Sequence, residues 1–469
     1  MARDITEEEV GHVRQLVANA RAAMAAVASD VTYDQAAVDR IIRAVAWAGG
    51  NEPTAIKLAN MSVDESGMGG REPTRRGKIL GILRDALRQK SMGVIEENTA
   101  LGITKYAKPA GVIAGLVPVT SPYVTPIGMA IYALKCKDAV IFSPHPGSKN
   151  TTGETVRVMR AALKKLNVPE DLLQCVETPS IPIANLLMQS CDLTMATGGP
   201  AMVKSAYSSG KPAYGVGAGN ASMVIDETAD VAEAARNSRI SKTNDNGSGC
   251  SADGNLIVDD SIYDAFLAKF QEEGGYLVAG AEKERLRNIY WDAEGRRTAN
   301  TIARPADAVA KLAGINLPAG KTFLIVEDDQ IGKAHPFSTE KLGIVITLFR
   351  AKGFDDILDK VRQIFETGGR GHSCGIYSFN DDHINRLALM APVSRIMVRQ
   401  IQSRANAGTF TNGMPMTSSM GCGVWGGNIT NENVSLKHYM NVTWVSRPIP
   451  EDRPSDEELF GEFYNTEIF

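Results

Sequence analysis

One thiol, Cys250, sits in the run Lys242-Thr243-Asn244-Asp245-Asn246-Gly247-Ser248-Gly249-Cys250-Ser251, just ahead of a strand predicted over Asn255 to Val258. Glycines let that backbone turn tightly and a ligand come close, and a thiol on such a loop can be reached by substrate and shifted toward thiolate by nearby dipoles. The pattern presents a nucleophile; a buried cysteine acting as a small hydrophobe is the other reading of this segment taken alone. A second candidate is Thr197-Gly198-Gly199-Pro200, after a predicted strand and at a helix start. Backbone donors and the positive helix end there suit a pyrophosphate, although such a turn also needs glycine for purely structural reasons. Two more glycine-rich turns run from Gly215 to Asn220 and from Gly421 to Asn428. No GxGxxG fingerprint follows the early strands.

The elements that must position these residues follow from hydrophobic period. Thr6 and Glu9 form a capping-box pattern ahead of Val10, Val13 and Val17, so the chain opens on an amphipathic helix, with helical text to about residue 90. Short apolar runs then alternate with helices. Strands are predicted over 111–117, 139–142, 172–176, 193–196 and 222–225, and the helix after Asn150 buries Val156, Met159, Leu163 and Leu166. This alternation implies right-handed crossovers and a doubly wound α/β sheet of the Rossmann type, a platform for a nucleotide cofactor. A second α/β alternation begins at Asn255, with a helix opened by Asp260 or Ser261 and strands near 322–326 and 344–349. The expected division is a dinucleotide-binding domain over 1–225, a catalytic domain over 226–438, and a strand plus acidic tail over 439–469.

The totals narrow the function. A net charge of -4 lacks the basic field a generic nucleic-acid partner needs. No stretch approaches the roughly 18 apolar residues of a membrane helix, and the chain starts without a leader pattern, so a cytoplasmic enzyme is expected. The six cysteines are scattered without CxxC spacing, and no histidine has ligand spacing to a second histidine or cysteine. Neither a disulfide framework nor a metal is expected. His12 and His383 read as solvated, and His372, in Gly371-His372-Ser373-Cys374-Gly375, reads as structural at a strand start, with contact to substrate as the alternative.

Taken together, the motifs resemble the aldehyde dehydrogenase superfamily and, within it, its CoA-acylating branch. The resemblance rests on Glu65-Ser66-Gly67-Met68-Gly69, Phe142-Ser143-Pro144-His145-Pro146, Thr197 to Pro200, Gly215 to Asn220, Cys250, Glu340-Lys341-Leu342-Gly343, and Gly421 to Asn428 with Glu432-Asn433 and Lys437-His438. These span nearly the whole chain in order. The resemblance implies Cys250 as nucleophile, Thr197, Gly198 and Gly199 at the pyrophosphate, Ser143, Pro144 and His145 on the adenosine side, and Glu340 at the nicotinamide ribose. It also implies that Gly215, counted with the cofactor site, replaces the glutamate with which hydrolytic members activate water. A thioester on Cys250 then passes to a thiol, CoA, rather than to water. Ser121, in Thr120-Ser121-Pro122-Tyr123, stands where relatives carry an asparagine that helps hold the oxyanion, which shifts more of that role to the Cys250 backbone N–H.

Arg399, Ser403 and Arg404 add positive charge and a hydroxyl where acetaldehyde-type relatives are largely uncharged, which suits a carboxylate or sulfonate on the substrate. A surface charge or a CoA-phosphate contact is the alternative for either arginine. Similarity to the sulfonate-handling members makes sulfoacetaldehyde the expected aldehyde, with acetaldehyde or propionaldehyde as the alternative; a non-catalytic dinucleotide-binding relative is the rival from another class. The turn from Ser143 to Lys149 has no carboxylate, and Ser148 and Lys149 suit a 2′-phosphate, so NADP is expected over NAD. The segment 92–110 and the strand near 439–445 resemble the pieces that pair subunits in this superfamily, implying an oligomerisation hairpin and a homodimer or homotetramer.

Overall fold

The computed structural model describes residues 3–72 and 74–467. The expected capping box is present: Glu9 N–H donates to Thr6 Oγ1 at 3.2 Å and Thr6 N–H to the Glu9 carboxylate at 2.9 Å, starting helix Glu7–Ser29. Five parallel strands follow in the first lobe. In space they run Leu173–Cys175, Ala139–Pro144, Val112–Val117, Leu193–Thr197 and Ala213–Val216, so the winding reverses between the third and fourth. Val112–Val117 is buried along its whole length, as a strand covered by helices on both faces must be. One covering helix, Val124–Lys135, escapes sequence reading because all twelve of its residues are buried, leaving no polar face to mark a 3.6-residue period.

The second sheet has seven parallel strands. Its order is Gly275–Val278, Phe323–Glu327, Val345–Ala351, Asn255–Asp259, Ser222–Ile225, Cys374–Tyr377 and Ile396–Val398. Side-chain alternation divides its core: Met223, Ile225, Leu256 and Val258 face one apolar layer, Val224 and Ile257 the other. Ser222–Ile225, expected to close the first lobe, lies instead inside this sheet between Asn255–Asp259 and Cys374–Tyr377. Four apolar residues suit either sheet; only pairing distinguishes them. The lobes therefore part between Val216 and Ser222. The segment after Ala405, expected within the catalytic lobe, returns to the first: Met416, Val434, Leu436 and Tyr439 join its core, and the Tyr132 hydroxyl donates to the Met416 carbonyl at 2.7 Å.

Gly93–Asn98, Ile103–Pro109 and Met440–Ser446 form a separate three-stranded antiparallel sheet with Ile103–Pro109 in the middle. The outer strand exposes Val442, Trp444 and Val445. No helix among the described residues is long and apolar enough to cross a membrane.

Glu65, from the first of the shared motifs, works at a distance in sequence. Its carboxylate accepts the N–H of Asn150 and of Thr151, each at 2.8 Å, and the Thr151 hydroxyl at 2.7 Å. It thereby caps helix Lys149–Lys165, whose preceding Ser148 makes no side-chain cap. Glu65→Ala should cost about 1–2 kcal/mol, the range for losing a helix cap, read as a lowered Tm; an unchanged Tm would show that water serves the helix start equally well.

Candidate active site

The carboxyl ends of the first-lobe strands, at the point where their winding reverses, open onto a cavity of about 1480 Å³ that extends to the second lobe. A doubly wound sheet leaves such a crevice there because the helices on either side diverge. Leu116, Val117, Ser143, Pro144 and His145 line one part, and Thr197, Gly198 and Gly199 another. Gly199 precedes helix Pro200–Tyr207 without a side-chain cap, and a side chain there would meet open space. Thr197 Oγ1 is 2.7 Å from Ser419 Oγ. His145 turns inward on itself, its Nδ1 accepting the Gly147 N–H at 3.1 Å.

Cys250 reaches the cavity from the second lobe, after helix Val231–Thr243 and the turn Asn244–Gly247. That turn carries Asp245 and Asn246 in the left-handed region and is gripped from outside. Asn246 donates to the Gly69 carbonyl at 2.8 Å, and Arg75 is paired with the Asp245 carboxylate. Arg75 also donates to the Thr120 carbonyl at 2.7 Å and to the Ser248 hydroxyl. Gly219 passes so close to Cys250 that a Cβ on it would lie 2.2 Å from the Cys250 carbonyl oxygen. Its N–H donates to Glu340 at 3.0 Å, and the other Glu340 oxygen lies 3.5 Å from Arg297.

His372 Nε2 lies 3.0 Å from Cys250 Sγ, and its Nδ1 lies 2.8 Å from the Ser373 hydroxyl. His372 therefore belongs to the site, where the structural role at a strand start is the first expectation and a contact in the site the alternative. The two groups are held neutral. Burial first, then the Glu340 carboxylate, pushes the Cys250 thiol up to about 12, with Lys78 and Arg395 opposing. Burial, with Arg395 second, pushes His372 down to about 3. Arg395 itself donates to the carbonyls of His372 and Asn431, each at 3.0 Å, and to that of Gly421, while its Nε is buried without a partner.

The other expected residues divide. Ser121 lines the cavity in the turn before helix Val124–Lys135, alongside Val124 and Thr125. Ser403 and Arg404 line it too, Arg404 exposed and the Ser403 hydroxyl buried without a partner. Arg399 borders the cavity, but its guanidinium donates to the Ser378 carbonyl at 2.9 Å and stacks 4.2 Å over Phe379. Gly215 does not line it; Gly217 and Ala218 do. The Tyr207 hydroxyl binds Gly215 on both sides, donating to its carbonyl at 2.9 Å and accepting its N–H at 3.1 Å. His383, expected to be solvated, is half-buried, 2.9 Å from Asp226 and stacked on Phe354. With Glu227 these two form a cluster of potential ligand groups, well outside the cavity lining.

Two cations were not foreseen, Arg75 and Lys78, which enter the cavity from the start of helix Arg76–Leu87. The available signal was their position: Arg75, Arg76 and Lys78 crowd the end of a helix where its dipole disfavours positive charge. His372 offered none, since 122 residues separate it from Cys250.

Comparison with known proteins agrees with this geometry. The aldehyde dehydrogenase family profile matches residues 5–289, and the chain belongs to that family. Within it the chain is an acylating aldehyde dehydrogenase, an oxidoreductase, and it is similar to sulfoacetaldehyde dehydrogenases over most of its length. It is 43% identical to a sulfoacetaldehyde dehydrogenase of an Acholeplasma species, over 92% of this chain and 90% of that one. It is 41% identical to an acylating sulfoacetaldehyde dehydrogenase of Bilophila wadsworthia, over 94% and 96%. The fold matches an acetylating aldehyde dehydrogenase of Geobacillus thermoglucosidasius with a TM-score of 0.91 at 32% identity, covering 97% and 100% of the two chains. It also matches a Rhodopseudomonas palustris propionaldehyde dehydrogenase with bound propionyl-CoA, TM-score 0.81 at 25% identity, covering 93% and 94%.

A protonated thiol beside a neutral imidazole sets a pH dependence. With the thiol pushed up to about 12, alkylation of Cys250 by iodoacetamide in the ligand-free enzyme should rise about tenfold per pH unit between pH 7 and 9. Mass spectrometry of the Cys250 peptide reads this rate. A plateau already reached at pH 7 would mean that the resting pair is thiolate and imidazolium.

Proposed function

We propose that this enzyme oxidises sulfoacetaldehyde and transfers the acyl group to CoA, giving sulfoacetyl-CoA. The observation that carries the acyl transfer is the composition of the cavity around the Cys250–His372 pair. Its one carboxylate among the described residues is Glu340, already engaged by the Gly219 N–H and Arg297. No free carboxylate stands ready to activate water, whereas a thiol is intrinsically nucleophilic and needs only a proton acceptor.

The steps follow from where protons can go. Cys250 sulfur adds to the aldehyde carbon as its proton passes to His372 Nε2, 3.0 Å away. The carbonyl oxygen gains negative charge, and the Cys250 backbone N–H with the Ser121 hydroxyl are the proposed donors to it. A bound nicotinamide supplies the hydride acceptor, and a thioester remains on Cys250. Once His372 has given that first proton to solvent, the CoA thiol passes its own proton to the neutral imidazole and attacks this thioester; acyl-CoA leaves, and the imidazolium returns the proton to the departing Cys250 sulfur, restoring the thiol.

The dinucleotide fits the first-lobe crevice. The uncapped start of helix Pro200–Tyr207, behind Thr197, Gly198 and Gly199, suits its diphosphate, and Glu340 is proposed for the nicotinamide ribose. NADP is favoured over NAD. Lys149 is exposed beside the turn after Pro144, while the nearby Glu65 carboxylate is spent on the helix start. Ser148 is buried, which leaves the 2′-phosphate to Lys149.

Anionic substrates are supported by five basic side chains, Arg75, Lys78, Arg297, Arg399 and Arg404, lining the cavity against that single carboxylate. Arg404 with Ser403 is proposed to meet the incoming anion at the rim. The exposed outer strand of the three-stranded sheet supports assembly into two or four copies.

Mixing enzyme, NADP and sulfoacetaldehyde should give sustained NADPH formation only with CoA present, at a higher kcat/KM than acetaldehyde gives. NADPH without CoA, accompanied by free acid, would reject the acyl-transfer reading, and a preference for acetaldehyde would reject the substrate. His372→Ala should lower kcat about a hundredfold or more, as loss of a general base does, with dinucleotide binding retained. A variant within threefold of wild type would remove the imidazole from the mechanism.

A further inference from the structure

Of the five cations lining the cavity, three are held by other groups. Arg75 is tied to Asp245, Thr120 and Ser248; Arg297 faces Glu340; Arg399 is turned onto the Ser378 carbonyl and Phe379. Arg404 is exposed. Lys78 differs from all of them: it lines the cavity, is half-buried, and has no hydrogen bond or ion pair among the described residues.

Its position is fixed by its neighbours. Arg75, one helical turn earlier, donates to the hydroxyl of Ser248, which lies two residues before Cys250 in the nucleophile loop. The stem of Lys78 therefore leaves helix Arg76–Leu87 beside that loop. Desolvation, with repulsion from Arg75 second, brings its ammonium down to about 8, opposed by Cys250 and Asp245. A lysine so placed is still protonated at pH 7 and gains by meeting an anion.

Substrate geometry selects among the cations. In sulfoacetaldehyde a single methylene separates the sulfonate from the aldehyde carbon, and that carbon must rest on Cys250 sulfur. The sulfonate then lies next to the nucleophile, where a rim arginine is badly placed and a free cation beside the loop is well placed.

We propose that Lys78 determines substrate specificity, its ammonium receiving the sulfonate while the aldehyde carbon is held against Cys250. The inference rests on the proposed anionic aldehyde substrate. Arg404 then guides the anion inward without seating it.

The test compares wild type, Lys78→Gln, Lys78→Met, Lys78→Arg and Arg404→Ala on sulfoacetaldehyde and acetaldehyde at saturating CoA. Lys78→Gln and Lys78→Met should each lower the ratio of kcat/KM for sulfoacetaldehyde over acetaldehyde by about tenfold to a hundredfold, the range for losing a charge-assisted contact. The loss should fall mainly on the KM for sulfoacetaldehyde, and Lys78→Arg should recover part of it. Circular dichroism and dinucleotide binding establish that the variants fold; since the Lys78 side chain makes no hydrogen bond or ion pair among the described residues, at least the methionine variant, which keeps the stem, should do so.

Three results overturn the proposal. The ratio could stay constant in a folded variant of a wild type that prefers sulfoacetaldehyde. Both aldehydes could lose equally while the KM for CoA rises, assigning Lys78 to a CoA phosphate. Both could lose equally while the pH profile of Cys250 alkylation shifts, making Lys78 a counter-ion of the thiolate. If wild type itself shows no preference for sulfoacetaldehyde, the substrate reading and this inference fall together; a preference that survives Lys78 replacement removes only the inference.

Discussion

A thiol and an imidazole held 3.0 Å apart, both uncharged, are the constraint on which the site depends. Neither group is reactive in that state, and neither can be hydrated away from the other. Keeping them so requires that the nucleophile loop not drift, which explains how much of the structure is committed to gripping it. Arg75 and Asn246 fasten the loop to the first-lobe segment around Gly69, while Gly219 presses on it from the strand side. Arg395, spread over three carbonyls, fixes the segment carrying His372 and adds to the cost of protonating it. The same burial that orders the pair stores the proton on sulfur until a substrate changes the local charge.

The cavity combines two electrical environments. At the first-lobe end, an uncapped helix start and Thr197 to Gly199 offer dipoles and backbone donors, which bind an anion without a full charge of their own. Near the thiol, whole cations stand close together, and Arg75, Arg297 and Arg399 are neutralised or turned aside. Asp245 is the balancing partner: by pairing with Arg75 it fixes the loop and spares the thiol a second uncompensated positive charge. A wall of mostly paired ions leaves few cations available to a ligand, which discriminates more sharply than a generally basic surface would.

Much of this was legible in the sequence, for reasons that differ by residue. Cys250 announced itself by its glycine-rich setting, and the alternation of short apolar runs with helices gave both α/β lobes. The motifs in order supplied the family. What failed did so where sequence lacks the relevant variable. Ser222–Ile225 is four apolar residues that either sheet could accept, and only pairing assigns it to the second. Helix Val124–Lys135 is apolar on every side and so shows no period. His372 meets Cys250 through a contact between segments 122 residues apart, which no local pattern encodes. Glu65 stands in the sequence only within a shared motif, and its role as a helix cap appears in the fold; a carboxylate's type says nothing about which donors the fold will bring to it.

The tyrosine behind Gly215 has an evolutionary consequence. Its ring lies 3.0 Å from where a Cβ at 215 would begin, and its hydroxyl is shared among the Gly215 N–H and carbonyl and the N–H of Ile429. A larger side chain does not simply fit at that position, because the space it would occupy is taken by the ring, whose hydroxyl is wired to the loop carrying Ile429. An exchange at 215 that fills this space needs a second change at Tyr207, and a truncated ring leaves three backbone groups unserved. The glycine is in that sense ratcheted: hard to leave by one substitution.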